Sequence, residues 1–172
     1  VLDNVELFKA RITYAERDQV FENDGKGNFR EISGELGSDF QIEKVGRGAA
    51  FGDYDNDGDI DILISNNNQT ANLFRNDSGN EYNWIKIKTI GTNGNRDGIG
   101  ARIKVVSGSL TQIEEVRTAG SYLSASDSRV TFGLGKSNKV DILEIRWTGG
   151  LKETHHNLPV NQLIILTEGE AQ

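Results

Sequence analysis

Residues 53–61 read Asp-Tyr-Asp-Asn-Asp-Gly-Asp-Ile-Asp, five aspartates in nine positions. Carboxylates crowded this closely repel one another unless a cation takes up their charge. Their neighbours, Ala49-Ala50-Phe51 and Ile62-Leu63-Ile64, are residue types expected in a core. Calcium suits such a loop because it takes about six to eight oxygens in flexible geometry, whereas magnesium holds a tighter octahedron and keeps its waters. The order Asp-x-Asp-x-Asp-Gly-x-x-Asp assigns side-chain oxygens to Asp53, Asp55, Asp57 and Asp61 and a backbone carbonyl oxygen to Asp59, whose side chain is expected to face away. Gly58 permits the sharp bend. An EF-hand begins in the same way but needs a bidentate glutamate at its twelfth position, and here that position is Ile64. Starting at Asp55 would put Ile60 where the turn glycine belongs, so only the Asp53 register is consistent. The alternative is an acidic, solvated turn that binds nothing, although such turns rarely repeat Asp at every second residue.

A loop of this kind must be held by the segments on either side. Ile60, Ile62 and Ile64 alternate with Asp61, Leu63 and Ser65, which predicts a strand mostly buried on both faces rather than a helix. Short alternating runs predict further strands over 19–22, 29–32, 48–51, 72–75, 83–90, 101–107, 111–117, 128–133, 140–147, 152–156 and 162–167. Helical periodicity is scarce; Val5, Phe8, Ile12 and Ala15 could share a helical face, and a strand is an equal reading there. The 20 glycines and the single proline, Pro159, place the turns on positive φ rather than on proline rings.

Composition narrows the function. The 172 residues suffice for one large or two small domains with a real core. A net charge of −7 and the lack of a basic stripe argue against nucleic acid and anionic membranes as partners. No apolar stretch is long enough to insert into a membrane. Cysteine is absent, so disulfides and thiolate metal sites are excluded. A chain that begins at Val1 is expected to be a processed product or an excised piece, which fits removal of a signal peptide. Extracellular calcium is abundant enough to fill a site of modest affinity, so an extracellular or cell-surface location is expected.

Enzymatic motifs are missing: the sequence has no Gly-x-Ser-x-Gly elbow, no His-Glu-x-x-His and no Walker loop. The only histidines, His155 and His156, are adjacent and would point to opposite faces of a strand, so they cannot easily grip one metal. Calcium-bound carboxylates are poor general acids. The expectation is a protein without catalytic activity.

An internal echo organises the first half. Val20-Phe21-Glu22-Asn23-Asp24-Gly25 is matched by Leu73-Phe74-Arg75-Asn76-Asp77-Ser78-Gly79, with Phe21 and Phe74 lying 53 positions apart, the length of a propeller blade. Residues 23–29 read as a hairpin loop. The first copy, taken with Gly48-Ala49-Ala50-Phe51-Gly52-Asp53 and the rest of the acidic loop, resembles an FG-GAP/VCBS-type repeat. Asn95-Arg96-Asp97-Gly98-Ile99-Gly100-Ala101, Ser121-Tyr122-Leu123-Ser124, Phe132-Gly133-Leu134-Gly135 and Ile145-Arg146-Trp147 resemble the ASPIC/UnbV domain. The turn Trp147-Thr148-Gly149-Gly150 departs from the proline-containing turn of that domain.

The resemblance implies an all-β fold, a propeller-blade-type repeat sheet followed by a β-sandwich-like domain. It also implies a calcium site at Asp53, Asp55, Asp57, Asp59 and Asp61, extracellular work, and no established catalytic activity. The expected organisation is an unassigned segment over 1–19, the repeat over 20–80 and the ASPIC/UnbV-like domain over 81–172. A single repeat cannot close a propeller ring of about four to eight blades. Its open edges suit strand addition, so the expected partners are other protein subunits, copies of itself included, joined by adhesion or assembly into a surface fibre. The alternative is a calcium-dependent lectin that stacks glycans on Tyr54, Tyr82, Trp84, Tyr122 or Trp147, although aromatics at strand positions are more often core. Two sequons, at Asn68 and Asn76, permit glycosylation and arise often by chance.

Overall fold

The computed structural model of the chain describes residues 13–77 and 81–170. Most of the ambiguous segment at Val5, Phe8 and Ile12 therefore lies outside the described residues. The described elements are strands, apart from one 3-10 turn over Ser38–Gln41. In chain order they are β1 Phe21–Asn23, β2 Phe29–Glu31, β3 Gly46–Gly52, β4 Asp61–Asn66, β5 Gln69–Phe74, β6 Asn83–Ile90 and β7 Arg102–Ser107. There follow β8 Leu110–Glu115, β9 Ala119–Ser121, β10 Ser124–Ala125, β11 Val130–Gly135, β12 Lys139–Arg146, β13 Lys152–Pro159 and β14 Gln162–Thr167. The fold is all-β, as the alternating runs predict.

The described residues fall into two compact units, 13–48 with 64–72, and 49–63 with 73–77 and 81–170. The division falls within the three strands of the sheet ordered β3-β4-β5. In the first unit β1 and β2 pair antiparallel, Asn23 opposite Phe29. The hairpin between them closes on Asp24, whose Oδ1 accepts the backbone N–H groups of Lys26 at 2.7 Å and Asn28 at 3.1 Å. In the second copy of the echo β5 ends at Phe74 and the N–H of Asn76 donates to Oδ1 of Asp61 at 2.9 Å, while its Ser78 and Gly79 lie outside the described residues.

Apolar burial in the first unit is sparse, with Phe40 and Val45 as its buried hydrophobic residues among those described. Polar side chains do much of the linking. Oε1 of Gln69 accepts the Val45 N–H at 2.8 Å, and the Tyr14 hydroxyl accepts from Asn67 at 2.9 Å and Arg47 at 3.2 Å.

The second unit contains a β-sandwich. One sheet has the order β11-β6-β14 and the other β13-β12-β7-β8. β14 runs parallel to β6, with Gln162 opposite Ile85, while β11 pairs with β6 antiparallel. Ile85 and Ile87 of β6, Phe132 and Leu134 of β11, Ile103 and Val105 of β7, and Leu143 and Ile145 of β12 form one buried cluster closed by Trp147. Strict alternation explains why: every second residue of each strand faces the partner sheet. His155 is buried and His156 exposed, on opposite faces as adjacent strand residues must be.

Burial on both faces, expected for the strand around Ile62 and Ile64, is not found. Ile62 and Ile64 are half-buried, but Leu63 is 47% exposed and Phe51 of β3 is 49% exposed. Alternate residues of a pleated strand point to opposite faces, and the face carrying Leu63 and Ser65 is open to solvent among the described residues. The β-branched run there reflects strand propensity rather than a place in the core.

Candidate metal centre

The 53–61 loop connects β3 to β4 and lies wholly in the second unit. It closes on its first aspartate. Oδ1 of Asp53 accepts the Asp57 N–H at 3.1 Å, and Oδ2 accepts the Gly58 N–H at 2.9 Å. Gly58 has φ +104°, and a Cβ there would sit 2.0 Å from Nε1 of Trp84. Glycine is therefore needed twice over, for a conformation that other residues resist and for the room the indole takes. Asn56 also adopts a left-handed conformation, at φ 62°.

The bend gathers Asp53, Asp55 and Asp61, each offering a carboxylate oxygen within 4.8 Å of the others. Asp57 and Asp59 stand outside this trio: Oδ1 of Asp57 accepts the Asp59 N–H at 2.9 Å, and the Asp59 side chain is buried. Asp61 is fixed by the Tyr54 N–H at 3.0 Å on Oδ2 and the Asn76 N–H at 2.9 Å on Oδ1. Asp55 is exposed, so the trio opens to solvent on its side. The donor set, three carboxylates with lone pairs left over from backbone bonds, fits a hard dication that takes oxygen ligands.

Two cations from beyond the loop complete its surroundings. Lys86 of β6 places its ammonium on Oδ2 of Asp53; the carboxylate residue is 1% exposed and the lysine 2%. Burial alone would raise the Asp53 pKa, but the Lys86 ammonium and the Gly58 N–H outweigh it and hold the group below its ordinary value. Arg129 bonds the Asp53 carbonyl at 3.0 Å and Oδ1 of Asn56 at 2.8 Å, while its Nε meets Asp127 at 2.6 Å. The same segment grips β3. The N–H groups of Ala49 and Phe51 donate to the hydroxyls of Ser124 at 3.0 Å and Ser126 at 3.1 Å, and the Phe51 carbonyl accepts the Asp127 N–H at 2.9 Å.

Sequence reasoning did not single out Lys86 or Arg129. Within Trp84-Ile85-Lys86-Ile87-Lys88, the lysines alternate with isoleucines and read as a solvated face, a reading that holds for the exposed Lys88 and fails for Lys86. The one signal was Trp84, on the same side of the strand. The 95–101 loop is held by Oδ1 of Asn95, which accepts from Asp97 at 2.9 Å and Ile99 at 3.3 Å, and by Thr89 on the Asp97 carbonyl at 2.7 Å.

Family models match the chain in two places, an FG-GAP-like repeat over residues 5–64 and the ASPIC and UnbV domain over residues 91–172. No curated protein matches it. FG-GAP repeats are often calcium-binding and are typical of extracellular or surface proteins, and the trio of aspartates lies inside the matched repeat. Among the described residues no helix is long and apolar enough to cross a membrane. The pairing of modules fits an extracellular-type protein–protein interaction module. The chain carries an FG-GAP-like repeat followed by an ASPIC/UnbV domain.

Proposed function

We propose that the chain is a secreted, non-enzymatic module in which calcium on the 53–61 loop fixes the surrounding strands, and which joins protein subunits, copies of itself included, in adhesion or fibre assembly. The observation that carries this reading is the convergence of Asp53, Asp55 and Asp61 within 4.8 Å in a repeat of an often calcium-binding type. Asp57 and the Asp59 carbonyl join them as further ligands in this reading. Calcium present at a hundred times its dissociation constant would add about 2.7 kcal/mol of stability. Exposed apolar side chains on the repeat, Phe21, Phe29, Leu63 and Leu73, support a role in protein contact.

Thermal melting with calcium and with chelator tests the ion's role. Chelator is expected to lower the melting temperature of the natural chain and to leave Asp55→Ala unchanged, since Asp55 is exposed and its loss costs little else. Identical curves for the natural chain in both conditions overturn the role of calcium. Electron microscopy and sedimentation with and without calcium test assembly; a monomer across a wide concentration range overturns it.

A second reading, the calcium-dependent lectin, draws on exposed aromatics. Tyr54 within the loop is 53% exposed, and Tyr82 and Tyr122 are exposed as well, whereas Trp147 is buried in the core. Chelator-sensitive binding on a glycan array would favour it over the assembly reading.

A further inference from the structure

Lys86 is 2% exposed, with its ammonium on Asp53 and 5.3 Å from the centre of the Trp84 ring. Burying an ammonium strips its hydration, and a buried ion pair seldom stabilises more than apolar side chains of the same volume would. The sandwich core does not call for a charge at this position, because Lys86 lies on the face of β6 opposite Ile85 and Ile87. What the charge meets is the acidic loop.

We infer that Lys86 is the resident counter-cation of the 53–61 loop: it keeps the loop folded without metal and weakens the loop's hold on calcium. The second half of this inference rests on the calcium reading above. Three converging carboxylates against one ammonium leave two negative charges, which a dication neutralises. An ammonium already on Asp53 stands close to where a bound ion would sit, and two positive charges repel strongly where water is scarce. The affinity is thereby lowered toward the range of extracellular modules, about 0.1–1 mM. The repulsion grows with ion charge, so a trivalent ion is disfavoured more than calcium.

Lys86→Met removes the charge and keeps most of the side-chain length. The variant is expected to melt several degrees lower than the natural chain without metal, and to gain more than the natural chain does when calcium is added. Its calcium dissociation constant is expected to fall by about tenfold, and its preference for terbium over calcium, read by tryptophan-sensitised luminescence, to rise. An equal or smaller calcium-induced gain, or an unchanged dissociation constant, overturns the affinity half. Lys86→Met combined with Asp53→Asn removes both charges and is expected to recover part of the metal-free stability lost in the single variant. No recovery overturns the folding half, and this comparison remains decisive if Lys86→Met alone fails to fold without metal. The natural chain, titrated in parallel, separates the two readings. If neither it nor Lys86→Met responds to calcium or terbium, the calcium reading falls and takes the affinity half with it, while the double variant still decides the folding half. A silent natural chain beside a responsive Lys86→Met supports the inference in its strongest form, with the ammonium filling the site.

Discussion

The two compact units are built by different means. Among the described residues of the first, Phe40 and Val45 are the buried hydrophobic ones, and Tyr14, Gln69, Asn67 and Lys44 supply hydrogen bonds that join its segments. In the second, two sheets enclose a continuous cluster from Ile85 to Leu166, and the acidic loop is fastened to it through Trp84, Lys86 and Arg129. Apolar burial stabilises by roughly 25 cal/mol per Å² and needs no particular angle, whereas a hydrogen bond adds a net of only about 1 kcal/mol and fails when its geometry slips. The difference teaches where the repeat's acidic loop gets its rigidity. Although the loop belongs to the matched repeat in sequence, Trp84, Lys86 and Arg129 beyond that repeat brace it, together with the Asn76 N–H.

The largest blow to that contrast would come from Leu143→Ala, which opens a cavity in the sandwich and is expected to cost about 2–5 kcal/mol in chemical denaturation. Because the loop leans on the same sheets, it should loosen together with the core. A loop that keeps its amide protection while the sandwich unfolds would break the comparison. Gly58→Ala comes next. It forces a side chain into φ +104° and onto the Trp84 indole, so a loss of about 2–3 kcal/mol and a changed tryptophan fluorescence are expected. A variant as stable as the natural chain would show that the indole does not clamp the loop.

Acid titration sharpens the contrast with the smallest effect, through two aspartates perturbed in opposite directions, Asp18 of the first unit and Asp53 of the second. In the first unit, burial raises Asp18 above its ordinary 3.8, against the Asn72 hydrogen bond and the Lys44 charge. Its carboxylate therefore costs stability at neutral pH, and that cost is relieved as the pH falls through the raised value toward 3.8. Asp53 is held below 3.8, so its contribution is complete above that value and is lost as the pH falls through the lowered one. NMR titration of the two carboxylates should place the Asp18 midpoint above 3.8 and the Asp53 midpoint below it. Midpoints on the same side of that value would erase the distinction.

Much of this architecture is written in local pattern. β6 follows from the alternation of lysines and isoleucines after Trp84, and β14 from the short apolar run Leu163-Ile164-Ile165-Leu166 rich in strand-forming residues. Aspartate spacing and one glycine marked the loop, while which three of its five aspartates converge depends on the bend of the backbone. β9 and β10 were not visible, since Ala119-Gly120-Ser121 and Ser124-Ala125 lack the β-branched and aromatic types that mark strands; they pair with each other across a short turn. Lys86 was hidden for another reason: it lies 33 positions from Asp53, and only the folded chain shows which lysine of an alternating face is covered.

The serine clasp on β3 carries a lesson about direction. On the side of β3 away from β4, the N–H groups of Ala49 and Phe51 and the Phe51 carbonyl are already engaged by Ser124, Ser126 and Asp127. A foreign strand arriving there would find its hydrogen bonds taken, which is how natural sheets protect an outer strand from unwanted pairing. On the opposite margin of the sheet, β5, the Thr70 carbonyl accepts from the Lys44 ammonium at 3.1 Å and from the Asn66 amide at 2.8 Å. Growth of this sheet through β3 would first have to break the clasp, and pairing through β5 alone would join two copies and stop there.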